Sequence, residues 1–255
     1  IFNYANPPEP ARPLVTAAQN WLLPRCLWAR AVVVKERFSP DPAMRIGTLT
    51  WGASPDRKIR ENSVWYALDL FLNQDASFYL DTRGLRAWLK RQAAGKSVLN
   101  AFAYTGSLGV AALAGGAQRV LQLDLNRKFL NLAKDSCALN GLPVVKADYL
   151  TGDFYPLTAR LRREARLFDI VILDPPFFSA TSAGRVDQAA ESARLINKVR
   201  PLIADGGCLV AVNNALFLSG ADYLSGLQAL CADGYMQVET FVDVPLDCAG
   251  YPPTR

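Results

Sequence analysis

The stretch most suggestive of chemistry is FDIVILDPPFFSA, residues 168–180, where an apolar run ends at Asp174, Pro175, Pro176 and Phe177. Proline has no N–H to donate to a helix or a strand, so the pair fixes the chain where the run stops. A carboxylate and a proline carbonyl held rigidly beside an aromatic ring suit a planar, amine-bearing substrate such as a nucleobase. The alternative is a rigid strand terminator whose phenylalanines fill the core.

A second stretch, FAYTGSLGVAA, has the glycine spacing of a ligand-binding loop, with Gly106 and Gly109 three residues apart. A dinucleotide-binding fingerprint would need a further glycine where Tyr104 stands. Asp124 follows 18 residues after Gly106. An acid there suits the ribose hydroxyls of NAD or of S-adenosylmethionine (SAM), although a turn-capping acid would look the same.

The ends of four predicted strands carry the glycine loop, Asp124, Asp148 and Asp174 in chain order. Asp148 is expected to end the third strand and to accept a hydrogen bond from an adenine amino group. Ligands of open α/β sheets bind at the carboxyl ends of the strands. The series therefore predicts an α/β enzyme that binds a cofactor, and the broken glycine pattern disfavours an NAD oxidoreductase.

Predicted strands and helices, which must position these residues, alternate from Lys96 onward. Continuous Val/Ile/Leu strands alternating with helices predict a parallel sheet with helices on both faces. Strands are predicted at 97–103, 119–125, 143–149, 168–174, 208–214 and 235–244, and helices at 106–116, 127–141, 157–167, 187–207 and 219–234.

The first part of the chain has a different pattern. Residues 1–27 form a Pro-rich arm, and strands at 28–38, 45–52 and 64–72 predict a small antiparallel β unit over 28–77. Residues 78–255 are then the α/β domain, entered through a helix within 78–95. Because the chain begins with Ile1, we expect a piece of a longer protein.

Composition narrows the chemistry. The chain has no histidine, and none of its five cysteines forms a CxxC pair. A histidine base and a zinc site are therefore disfavoured, and no metal site is expected. Scattered cysteines are typical of a reduced, cytoplasmic protein, and no apolar run is long enough to cross a membrane.

Charge is unevenly distributed along the chain. Residues 1–96 hold 14 Lys and Arg against 8 Asp and Glu, a net +6, whereas residues 97–255 hold 14 against 15, a net −1. A basic N-terminal part favours a polyanionic partner such as RNA. A basic solvated surface without a partner is the alternative.

The segments VLNAFAYTGSLGVAAL, LDLN, KADYL and ILDPPFFS resemble class I SAM-dependent methyltransferases. They are most similar to the bacterial large-subunit ribosomal RNA methyltransferases of the cytosine-C5 and guanine-N7 group. FYLDTRGLR, residues 78–86, resembles that group's segment before the SAM domain. The resemblance implies a Rossmann-like class I methyltransferase sheet preceded by a small antiparallel β unit, with SAM as cofactor and ribosomal RNA as partner.

The resemblance also implies residue roles. Asp124 would hold the ribose hydroxyls, Asp148 the adenine amino group, and Arg83 the methionine carboxylate. Asp174, Pro175 and Phe177 would face the methyl acceptor. The residues that would line the methionine and ribose parts of SAM are Phe102, Ala103, Thr105 and Gly106.

The sequence departs from the cytosine-C5 members at one position. Those members carry a nucleophilic cysteine just after the fifth strand, because C5 must be activated by covalent attack. Here the segment reads AVNNALF, with Asn213 and Asn214, whereas Cys208 comes earlier and is expected to face the core. We therefore expect direct transfer to a base nitrogen, with a ring nitrogen and an exocyclic amine both open.

Two further expectations concern the tail and the acceptor. The sequence after Val244 cannot form a central strand. We therefore expect that the antiparallel seventh strand of this fold is missing, or that the tail is a loop cut short. Methyl transfer to a small molecule or a protein, and a non-catalytic SAM-binding or RNA-binding protein, are the alternative functions.

Overall fold

The computed structural model describes residues 1–215 and 218–248. The chain folds into two compact units, one formed by Ile1–Arg60 and Trp65–Tyr79, the other by Glu61–Val64 and Leu80–Arg255. No helix among the described residues has both the length and the apolar character needed to span a membrane.

The N-terminal strands form two small sheets. β1 pairs in parallel with β2, which pairs antiparallel with β3, while β4 and β5 form a two-stranded sheet. Residues 1–27 thus contain a strand and a helix, and Pro13 stands in the helix's first turn, where a missing N–H costs nothing. The elements are β1 (Phe2–Asn3), α1 (Arg12–Leu22), β2 (Ala31–Glu36), α2 (Pro42–Ile46), β3 (Thr48–Gly52), β4 (Lys58–Glu61) and β5 (Val64–Ala67).

The second unit is an α/β structure around a five-stranded sheet in the order β12-β9-β6-β7-β8, with every pair parallel. Its elements are α3 (Arg83–Gln92), β6 (Ser97–Ala101), α4 (Ser107–Ala114), β7 (Arg119–Asp124), α5 (Arg127–Leu139), β8 (Tyr149–Thr151), α6 (Phe154–Arg163), β9 (Phe168–Leu173), β10 (Phe178–Thr181), β11 (Gly184–Asp187), α7 (Gln188–Val199), β12 (Ile203–Ala211) and α8 (Gly220–Cys231).

Both faces of this sheet are buried, which explains its uninterrupted apolar strands. Leu99 and Val171 belong to the core cluster that also contains residues of α6 and α7. Their neighbours Val98 and Ile170 belong to the opposite cluster, which includes α3 and α4. Successive strand residues point to opposite faces, so a strand covered on both sides has no polar alternation. The predicted parallel α/β sheet is confirmed.

The predicted position of Asp148 is wrong. Residues Lys146–Asp148 form a 3-10 turn, and the third strand, β8, starts only at Tyr149. The Asp148 carboxylate binds Arg119, the first residue of β7, at 2.6 Å. In a parallel pair this is the amino-terminal side, so Asp148 lies away from the carboxyl edge where it was expected.

The structure differs from the sequence predictions at two further segments. Residues 235–244, predicted as a sixth strand, form no strand within the described part of the chain. The hairpin of β10 and β11, directly after the Asp-Pro-Pro-Phe stretch, was not predicted. The prediction for the tail after Val244 falls partly on residues 249–255, which lie outside the described residues.

A glycine substitution tests the packing beneath the glycine loop. A Cβ on Gly109 would lie 2.6 Å from Oε1 of the buried Gln122, whereas one on Gly226 of α8 would meet nothing within 4 Å. Gly109→Ala should therefore destabilise the protein by about 1–3 kcal/mol through overpacking. Gly226→Ala should stabilise it by about 0.5–1 kcal/mol through helix propensity. Urea unfolding measures both, and equal effects would contradict the packing argument.

Candidate active site

The carboxyl ends of the central strands lie level with one another. Ala101 of β6 is opposite both Leu123 of β7 and Leu173 of β9, and Leu173 is opposite Ala211 of β12. The loops that follow these strands therefore leave the sheet at one edge. The sheet order reverses at β6, because the chain continues to β7 on one side and β9 lies on the other, and such a reversal opens a crevice.

The loop after β6 is a tight turn built from left-handed residues. Phe102, Tyr104 and Gly106 have φ of 58°, 51° and 74°. Glycine adopts this conformation freely, but Phe102 and Tyr104 each pay about 1 kcal/mol or more for it, so their clustering marks a functional candidate. Gly106 precedes α4 without a side-chain cap on its first N–H groups. Those donors, with the helix dipole, favour a ligand carrying oxygen acceptors.

The side chains of this turn are buried or half-buried. Phe102 stacks on Phe154 with ring centroids 4.6 Å apart. Ala103 and Thr105 are buried, and the Ala103 N–H donates to the Leu123 carbonyl at 2.8 Å. The structure thus brings the four predicted loop residues into one turn at the carboxyl edge.

Asp124 links the loops after β6 and β7. Its two carboxylate oxygens accept N–H bonds from Tyr104 and Asn126, each at 2.8 Å. Burial raises the pKa of the carboxyl group, and the two backbone bonds partly offset this. Each oxygen keeps a further lone pair, so Asp124 can still accept hydrogen bonds from a diol.

Asp153 is the residue that the sequence interpretation missed. β8 ends at Thr151, opposite Asp124, so Asp153 stands at the level where Asp148 was expected. Its carboxylate caps α6 by accepting from the Tyr155 N–H at 2.9 Å and also accepts from the Thr181 hydroxyl. The signal was present in the sequence, because an Asp just before an apolar helical run is a typical N-cap.

Arg83 lies at the start of α3 and is already paired with a carboxylate. Its guanidinium binds both oxygens of Asp247, at 3.2 and 2.6 Å, and both side chains are exposed. This pairing raises the pKa of Arg83 and lowers that of Asp247. The geometry shows that Arg83 can hold a carboxylate in two-point contact, while its role towards a cofactor stays a prediction.

Asp174 and Pro175 are joined by a side chain from the end of β12. The Asn214 amide nitrogen donates to Asp174 Oδ1 at 3.1 Å and to the Pro175 carbonyl at 2.8 Å. The two acceptors therefore converge on one NH2 group, as the rigid proline pair predicts. Asn214 occupies the place where the sequence lacks a cysteine.

The Asp174 carboxyl group has an unusual acidity. Its pKa is raised from 3.8 to about 7, first by burial and then by the neighbouring charge of Asp81, while the Asn214 bond lowers it. Tyr223 of α8 is buried as well, and burial together with the Asp174 charge raises its pKa to about 12. Asp174 thus changes charge near neutral pH in a chain with no histidine.

Aromatic rings and a hairpin follow the Asp-Pro-Pro segment. Phe177 and Phe178 remain 38% and 55% exposed, so they are not core residues. The hairpin of β10 and β11 is anchored to the loop after β8, because Thr181 donates to Asp153 and the Tyr155 hydroxyl donates to the Arg185 carbonyl. The site therefore presents an exposed aromatic surface beside the partly buried Asp174 carboxylate.

Most of the predicted site residues lie at the carboxyl edge of one sheet. Phe102, Ala103, Thr105, Gly106, Asp124, Asp174, Pro175 and Phe177 follow β6, β7 and β9 there, and Asp148 does not. Cys208 is partly buried and packs against the cluster beneath α3 and α4. The described residues contain no cluster of three or more His, Cys, Asp or Glu side chains that could hold a metal ion.

Comparisons with known proteins agree with this geometry. A sequence profile described as S-adenosylmethionine-dependent methyltransferase matches residues 12–249. The chain is 32% identical over 225 residues to ribosomal RNA large subunit methyltransferase I of Aeromonas salmonicida, which covers 87% of this chain and 55% of that protein. It is 30% identical over 253 residues to the protein of that name from Photobacterium profundum, covering 96% and 63%.

Among solved structures, the fold is similar to the crystal structure of SMU.776 complexed with S-adenosylhomocysteine. The TM-score is 0.79 at 25% identity, over 96% of this chain and 62% of that one. The chain thus spans between 55% and 63% of the length of the relatives and structure named here.

The raised pKa of Asp174 predicts how stability depends on pH. Between about pH 4 and 7 the folded protein holds a proton that the unfolded chain has lost, so the free energy of unfolding falls as pH rises through this window. Asp174→Asn cannot ionise, so it removes this fall in stability, and its side-chain carbonyl can still accept from Asn214. It should stabilise the protein by about 2–4 kcal/mol at pH 8 and by little at pH 4.

Asp169 supplies a control of opposite sign. Its pKa is lowered by the N–H and hydroxyl of Ser97, so its contribution is present at neutral pH and is lost on acidification. Asp169→Asn should therefore destabilise at pH 7, and its effect should shrink as the pH falls through the lowered pKa of Asp169. Denaturant unfolding across about pH 2–8 measures both variants, and a pH-independent effect of Asp174→Asn would contradict the raised pKa.

Proposed function

We propose, since the chain belongs to the S-adenosylmethionine-dependent methyltransferase family, that it transfers the methyl group of SAM directly to a ring nitrogen of a base in ribosomal RNA. The observation that carries this proposal is the Asn214 amide, which bridges Asp174 and the Pro175 carbonyl beside the glycine turn. The named relatives, which are longer than this chain, supply the RNA part of the proposal.

The carboxyl edge fits the cofactor. The left-handed turn at Phe102–Gly106 leads directly into α4, whose first N–H groups have no side-chain cap. Asp124 would accept from the ribose hydroxyls and Asp153 from the adenine amino group. Leu125, next to Asp124 and 59% exposed, offers an apolar surface to the purine ring. When bound, SAM supplies a methyl group on a sulfonium ion, which is electrophilic without further activation.

The arrangement around Asp174 favours a ring nitrogen over an exocyclic amine. An amine acceptor must lose a proton, and its N–H groups need acceptors such as Asp174 and the Pro175 carbonyl. Asp174 Oδ1 and the Pro175 carbonyl each keep a further lone pair, but an amine would have to share both acceptors with the Asn214 amide. A ring nitrogen attacks through its lone pair and needs positioning rather than a base. The Asn214 carbonyl oxygen and the exposed Phe177 ring can orient such a base.

Charge supports RNA less strongly than the sequence count suggests. Of the net +6 in residues 1–96, residues 80–96 contribute +4, with five Lys and Arg against one Asp. Two of those five are neutralised, because Arg83 pairs with Asp247 and Arg86 with Glu61. Arg91 is exposed. Pairing thus reduces the positive charge that residues 80–96 can offer to phosphates, and the proposal of RNA depends mainly on the relatives.

Methyl transfer to RNA tests the proposed function. The protein is incubated with labelled SAM and ribosomal RNA that lacks its native methylations, and the digested nucleosides are identified by mass spectrometry. The expected product is a base methylated at a ring nitrogen, with Asp124→Ala as the inactive control. A product methylated at C5 or at an exocyclic amine would contradict the acceptor, and an unlabelled RNA with SAM binding intact would contradict the substrate.

A pair of isosteric variants tests the cofactor contacts. Asp153→Asn keeps the helix cap, because Asn caps as well as Asp, but replaces a carboxylate that would bind the adenine amino group. It should weaken SAM binding by about 5- to 20-fold, as expected for loss of a charge-assisted hydrogen bond. Asp148→Asn breaks only the contact with Arg119 and should leave SAM affinity unchanged.

Isothermal titration with SAM measures both variants. If Asp148→Asn weakened SAM binding and Asp153→Asn left it normal, Asp148 rather than Asp153 would be the residue that binds the adenine amino group.

A further inference from the structure

Gln188, the first residue of α7, is a buried residue that contacts both loops of the acceptor site. Its side chain is 1% exposed. Its backbone N–H donates to the Phe177 carbonyl at 3.1 Å. Its side-chain amide donates to the Val212 carbonyl and accepts from the Asn214 N–H at 3.3 Å. One residue thus bonds to the chain after β9 and to the chain after β12.

The side-chain bonds replace the support that the sheet no longer gives. β12 ends at Ala211, and the Val212 N–H makes the last bond to the β9 strand, at the Leu173 carbonyl. Beyond this point the Gln188 amide acts like a neighbouring strand, because it pairs with a carbonyl and an N–H two residues apart. The backbone of residues 212–214 is therefore held in place after the sheet has ended.

Helix formation does not require this side chain. Asp187 caps α7, since its carboxylate accepts from the Ala190 N–H at 3.0 Å. An apolar side chain of similar size would suffice at this position if the residue served packing alone. Instead, both the NH2 group and the carbonyl oxygen of the Gln188 amide form hydrogen bonds, and both bonds go to the segment that carries Asn214.

We propose that Gln188 is a positioning residue, which fixes Asn214 so that its amide stays against Asp174 and the Pro175 carbonyl. The backbone bond to Phe177 holds one half of the acceptor site, and the side-chain bonds hold the other. The catalytic consequence rests on the proposed function, but the placement of Asn214 does not. Gln188 itself touches neither Asp174 nor Pro175 through any bond in the described structure.

Gln188→Met tests the proposal, because Met has similar volume but neither donor nor acceptor. Asn214 should then lose its fixed position and its bond to Asp174. That bond lowers the Asp174 pKa, so its loss should raise the pKa above the value of about 7 in the unmodified protein. Asp81 and Tyr223, the titratable groups that interact with Asp174, are retained in every variant.

The measurement is a carboxyl-carbon NMR titration of protein labelled at Asp, with the Asp174 signal assigned through Asp174→Asn. No histidine titrates in the same range. Asn214→Ala should give the same upward shift, and Gln188→Met combined with it should add nothing further. Glu191→Gln on the same helix is the control. It removes the ion pairs to Arg185 and Arg194 and should leave the pKa of Asp174 unchanged.

Activity gives the second readout. In Gln188→Met, kcat should fall by about 10- to 100-fold through misplacement, while the KM for SAM stays within about twofold. If the Met variant does not fold, Gln188→Asn serves as a second variant. Its amide is one methylene too short to reach the same partners, so it should show the same pKa shift and the same loss of kcat. An unshifted Asp174 pKa with normal kcat would overturn the proposal. An unmodified protein that fails to methylate RNA would overturn the proposed function alone, because the titration still decides the role of Gln188.

Discussion

The pairing of β6 with β7 on one side and β9 on the other is the constraint on which the site depends. Five parallel strands can bury both faces only if helices return the chain to the amino edge each time, so every new loop starts at the carboxyl edge. The reversal at β6 then parts the loop after β6 from the loop after β9. The crevice where these loops diverge suits a polar ligand, because both faces of the sheet are covered by apolar packing.

Side chains rather than backbone ladders hold this crevice together. Asp124 binds N–H groups of the loops after β6 and β7, and Asn214 binds the loop after β9 from the end of β12. Asp153 and Thr181 join the loop after β8 to the hairpin. Each contact uses a polar group that the crevice partly buries, and such groups must be paired. The residues that could bind a ligand therefore also fix the shape of its site.

The sequence predicted the sheet well because its signal is local. Apolar runs such as FDIVIL are long enough to identify buried strands, and the Gly, Asp and Pro residues that end them marked the loops. Its failures needed information from other parts of the chain. Asp148 looked like a strand end, since apolar residues come before and after Lys146–Asp148. Pairing with β7, however, starts the strand only at Tyr149. Residues 235–244 have strand-forming residues, yet a strand requires a partner, and the described residues supply none. Nothing local distinguishes Gln188 from any other helical glutamine, because its role comes from contacts 24 and 26 residues away.

A methyl transfer that uses no covalent intermediate places its whole demand on position. The chain has no histidine to move a proton at neutral pH, and Asn214 stands where a thiol would be needed. Asp174 could act as a base only in the fraction of molecules in which it is charged, and with a pKa of about 7 that fraction is near one half at neutral pH. In either charge state the Asp174 carboxyl group still accepts a hydrogen bond from the Asn214 amide. The bridge between Asp174, Asn214 and Pro175 thus survives the titration, and the acceptor of the proposed function, which brings its own lone pair, makes no demand on the charge of Asp174.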